Sequence, residues 1–108
     1  MSAWADRDGT RRGGPFVVTL VADVAASRPD ALEVIAFVSD GTVEHRGTAY
    51  PRVGLAPSAW AEVHIPKLAD PPPVVIDVCS DASAAVARRA AALLAAGLEG
   101  VGWSVREP

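Results

Sequence analysis

The run Val74-Val75-Ile76-Asp77-Val78-Cys79, followed by an alanine-rich stretch to Gly97, restricts the folds open to this chain more than any other feature. The first part alternates. Val74, Ile76 and Val78 share one face of a strand, and Val75, Asp77 and Cys79 share the other. The second part is almost all strong helix formers from Ala82 to Ala96. Ser80 or Asp81 can cap it by accepting hydrogen bonds from the first free N–H groups. Val86, Ala90, Leu93 and Gly97 fall in one stripe, with Leu94 beside it, and Gly97 can supply a left-handed terminus. Val101, Trp103 and Val105 then share one face of a further strand. A strand, a helix and a strand in succession need a sheet to lie on, so the rest of the chain must supply one.

The first half supplies a similar unit. Phe16 to Val24 reads as a strand with valine on both faces, which predicts cover on both sides. Ser27, Pro29 and Asp30 then form a helix-start signal of cap, first-turn proline and first-turn acid. Ala31, Ile35 and Val38 would face inward on that helix, with Leu32 and Ala36 beside them. A strand competes with it, because Leu32 to Val38 is rich in branched and aromatic residues and Asp40-Gly41 is a hairpin turn signal. Thr42 to Tyr50 reads as a strand bent at Gly47. Pro51 to Pro73 is irregular, since its prolines forbid a long element, although Trp60 to Ile65 can form a short strand. Residues 1–14 are polar and rich in Gly and Arg and read as a flexible tail, leaving 15–108 as one domain.

The 108 residues suit a single domain, and half of them are hydrophobic, enough for a core. The net charge of −3 gives no support to a nucleic-acid surface. A single cysteine excludes an internal disulfide. No apolar run approaches membrane-spanning length and no signal-peptide core is visible, so the expectation is a cytoplasmic protein that meets neither membrane nor nucleic acid. The fold expected is an α+β sandwich of βαββαβ order, a ferredoxin-like arrangement with both helices on one face and a proline-rich insertion.

The opening strand Val17 to Val24, followed by Ser27-Arg28-Pro29-Asp30-Ala31-Leu32, resembles the start of an ACT domain. The resemblance implies a small regulatory module that binds an amino acid or similar ligand between paired domains. It places Arg28 and Asp30 at the ligand. Asp30 stands where that family usually has a glycine that lets backbone approach the ligand, and the proline-rich insertion is a second departure. The outline from Val74 to Val101 is also similar to a rhodanese-like domain, with Cys79 at the end of a strand. The loop Cys79-Ser80-Asp81-Ala82-Ser83-Ala84 lacks the glycines and arginine that such a loop uses for an anionic sulfur.

Cys79 would lie between a strand end and a helix N-terminus, a position that suits a nucleophilic thiolate; a packed, inert thiol is the ordinary alternative. His45 and His64 have no ligand spacing with Cys79 or a carboxylate, so no metal is expected. The glycines make no phosphate-binding loop, and no cofactor is expected. Trp60 is either a lid on the core or an interaction anchor. Val17, Val21 and Val75 make the face away from the helices half apolar, which predicts a homodimer through that face. The leading expectation is a non-catalytic, ligand-binding regulatory module, with a thiol enzyme using Cys79 or a protein–protein interaction module as alternatives.

Overall fold

The computed structural model describes residues 16–55, 57–64 and 73–108. The expected tail at 1–14 and the prolines Pro66, Pro71 and Pro72 lie outside the described residues. The elements are β1 (Phe16–Ala22), α1 (Arg28–Ser39), β2 (Thr42–Glu44), β3 (Arg52–Leu55), β4 (Ala59–His64), β5 (Val74–Ser80), α2 (Ala84–Gly100) and β6 (Val105–Arg106). The protein is α+β: one antiparallel sheet in the order β2-β3-β4-β5-β1-β6, with two helices.

Register fixes which side chains meet. Val18 lies opposite Val78, Leu20 opposite Ile76, and Ala22 opposite Val74. Ala61 and Val63 continue these rows from the other side of β5, and Val53 extends the first of them. Ala31, Leu32 and Ile35 of α1 and Ala91, Leu94 and Leu98 of α2 pack into the same cluster, so both helices lie on this face. Fully burying one such aliphatic side chain contributes about 1.5–3 kcal/mol. Among the described residues no helix is long and apolar enough to cross a membrane.

The helix reading of 28–39 prevails over the strand reading. Ser27 caps it by accepting from the Asp30 N–H at 3.2 Å, and Pro29 sits in the first turn. The Asp40-Gly41 pair ends this helix instead of turning a hairpin. Asp40 takes the left-handed conformation, φ 57°, and the Gly41 N–H bonds the Ala36 carbonyl at 2.9 Å. Gly41 passes so close to β3 that a Cβ there would lie 2.4 Å from the Gly54 carbonyl oxygen. Glycine is therefore required at 41 by this contact.

The strand order departs from the expected four-strand plan. The strand expected from Thr42 to Tyr50 stops at Glu44. His45, with φ 57°, and Gly47, with φ 82°, turn the chain, and Thr48 bonds back to the His45 carbonyl. β3 then forms inside the segment expected to be irregular, and β4 takes the place beside β5. β1 also ends two residues early, at Ala22 and not Val24.

The α2 stripe was misplaced by about one residue. The buried residues are Ala87, Ala90, Ala91, Leu94 and Leu98, and Leu93 is 68% exposed. The helix is apolar nearly all round, so its period alone cannot choose between two stripes with equal spacing. Ser83, not Ser80 or Asp81, caps it by accepting from the Val86 N–H at 3.1 Å. The helix passes Gly97 and ends at Gly100. Gly97 serves packing, since a Cβ there would lie 3.1 Å from the Val38 Cβ, so its bareness lets α1 and α2 approach. The last strand holds only Val105 and Arg106, and Val101 is exposed.

Candidate functional site

The face of the sheet opposite the helices carries most of the chemistry. Strand alternation places Thr19, Asp77 and Glu62 in one cross-strand row, with His64 diagonal to Asp77. Asp77 accepts from the Thr19 hydroxyl at 2.8 Å, and the His64 Nε2 lies 3.1 Å from its other oxygen. Glu62 stands directly opposite Asp77, a like-charge pair that costs stability unless each carboxylate is held. Glu62 is held by the Trp60 indole N–H at 2.8 Å. The Arg52 guanidinium lies 4.7 Å from the centre of the Trp60 ring, and its Nε donates to Glu44 at 3.0 Å. Trp60 is thus part of a side-chain network on the open face, not a lid on the core.

Cys79 lies on the same face but is fully buried. Its Sγ is 3.7 Å from the Asp77 carbonyl oxygen. β5 continues through Ser80 and α2 begins only at Ala84, so the thiol is inside a strand and not at a helix N-terminus. His64 and Asp77 have the geometry of a base and its orienting carboxylate. The Thr19 hydroxyl donates to the carboxylate, not to the imidazole, so the three do not form a nucleophile–base–orienter chain.

Arg28 begins α1, where the loop after β2 runs beside the end of β4. It lines a narrow crevice with Tyr50, Glu62 and His64. It also lines an adjoining cleft of about 250 Å³ over Leu32, Val43 and Pro51. Among the described residues Arg28 makes no ion pair. Arg46, on the rim of the cleft, is paired with Glu33. Asp30 is exposed in the first turn of α1, its N–H taken by Ser27, and it does not line the cleft. The structure therefore brings Arg28 together with His64 and leaves Asp30 apart.

Of the three residues expected at an interface, Val17 is 46% exposed, Val75 is half-buried and Val21 is 7% exposed within the single chain. His45 lies in the turn after β2, and among the described residues no group of three or more His, Cys, Asp or Glu can hold a metal ion. Sequence reasoning missed the His64–Asp77 pair. Its signal was there: Glu62, His64 and Asp77 share a face once Ala59–His64 and Val74–Ser80 are taken as adjacent antiparallel strands. Comparison with protein-family models, with curated proteins and with solved structures finds no match for this chain.

Proposed function

We propose that this chain is a non-catalytic, ligand-binding regulatory module of ACT-like type that works as a homodimer. The observation that carries the reading is Arg28. Its guanidinium has no ion-pair partner among the described residues, and it borders both a polar crevice and a cleft with an apolar floor. An unpaired arginine is a ready donor for a carboxylate or similar anion. A volume of about 250 Å³ falls below the roughly 300–1,000 Å³ typical of drug-sized ligands, which favours a small metabolite over a nucleotide cofactor. The ferredoxin-like core of this reading is β4-β5-β1-β6 with the two helices, and the β2–β3 hairpin is then an insertion that widens the sheet. The dimer would form through Val17 and Val75 on the open face.

Amide NMR spectra recorded with a panel of amino acids and short organic acids test the ligand. At least one member should shift Arg28, Val43 and Thr48, and Arg28→Gln should remove the effect. No shift at these residues from any member at about 10 mM, weaker than ordinary metabolite affinity, would sink the reading.

The burial of Cys79 opposes the thiol-enzyme alternative, because a nucleophile must reach its substrate. A disulfide reagent should leave the folded chain unmodified and react only after unfolding. Immediate reaction of the native thiol would return that alternative.

A further inference from the structure

β6 covers only a small part of β1. It pairs with Val21 and Ala22, and among the described residues no strand pairs with Phe16 to Leu20 on that side. The Asp23 N–H donates to the Ser104 carbonyl in the direction of β6. Backbone groups alternate along an antiparallel strand, so the N–H and C=O of Val17 and Thr19 point to the same, open side. Two further steps in register would set Pro108 opposite Thr19, and proline has no N–H to give.

Among the described residues this edge has none of the usual protections. Sheet edges are normally blunted by short strands, charges, proline or bulges. β1 is seven residues long, FVVTLVA, without a charge or a proline. The edge at β2 is different: three residues long and carrying Glu44, which Arg52 holds.

A groove follows the open edge on the helix side. One part, about 390 Å³, lies between Val18 and Leu20 on the strand and Ala91 and Ala95 on α2. A second part, about 240 Å³, runs from Phe16 to Ala87 and shares Val18 and Arg88 with the first. The alanines keep this floor low, so side chains of an added strand have room above it. Arg88 stands on the rim of both parts and makes no ion pair among the described residues.

We propose that the free edge of β1 is a docking site for an extended peptide segment of a partner protein. The segment adds as a strand beside Phe16 to Leu20. Main-chain bonds to Val17 and Thr19 supply affinity. Alternate apolar side chains enter the groove, and a carboxylate meets Arg88. A second copy fits less well, because β1 carries no carboxylate to meet Arg88.

The test uses the full chain and a capped peptide of sequence TETVTV, whose Glu shares a face with the two valines. Amide NMR should show the Val17 and Thr19 signals shifting and becoming protected from hydrogen exchange. Methylating the peptide's backbone nitrogens should abolish binding. Arg88→Glu, at an exposed position, should weaken TETVTV by about tenfold and favour TKTVTV instead. Val17→Pro removes one outward donor and should weaken both peptides. Three results would overturn the proposal: equal binding of methylated and unmethylated peptide, no binding at about 1 mM, or Val17 and Thr19 amides already protected in a dimer of the free chain.

Discussion

Ile76 and Asp77 are neighbours on β5 and belong to opposite chemistries. Ile76 is fully buried beneath the helices, between Leu20 and Val63. Asp77 points the other way and is held by a threonine and a histidine. The covered face is cemented by apolar area, which is non-directional and tolerates no gap. The other face is tied by directional bonds between polar side chains, partly exposed at His64 and Asp77 and buried at Glu62, and bonds that water can reach contribute less to stability. One sheet thus presents an apolar face beneath the helices and a second face of linked polar side chains.

Substitutions can break this contrast or sharpen it. The largest effect is expected under the helices. Ile76→Ala should cost about 2–5 kcal/mol in urea unfolding, since it removes atoms from a fully buried site. A loss below about 1 kcal/mol would mean that the covered face is not the core. On the open face, Asp77→Ala strands the Thr19 hydroxyl and the His64 imidazole. Water reaches both side chains of the His64–Asp77 pair, so the cost should be nearer about 1 kcal/mol than the 3 of a sealed site. The smallest effect belongs to the outer side of α2. Leu93→Ala should change stability by less than about 0.5 kcal/mol, whereas Leu98→Ala on the inner side should cost several times more.

The sequence was legible where local chemistry and period agreed. Ser27, Pro29 and Asp30 marked the start of α1, and alternation along Val74 to Val78 assigned the two faces of β5 correctly. It was illegible where several answers shared one pattern. In α2, alanines on every side hid the difference between a stripe through Leu93 and one through Leu94. Between Thr42 and His64, β3 has only four residues, and the turn at His45 puts a non-glycine residue at positive φ. Neither leaves a clear mark, so the neighbour of β5 was misassigned. The site suffered from the same error. Arg28 was named through the resemblance of Ser27-Arg28-Pro29-Asp30-Ala31-Leu32, but its crevice is formed against β4, whose place in the sheet was not foreseen.

The central proposal is that the polar face meets a second copy of the chain while the covered face holds the fold. Sedimentation velocity on the unmodified chain and on Val75→Lys tests it most directly. The account predicts a dimer at tens of micromolar for the first and a monomer for the second, a weakening of at least about tenfold, with unchanged circular dichroism. A monomeric unmodified chain, or a Val75→Lys variant that loses its secondary structure, would contradict it.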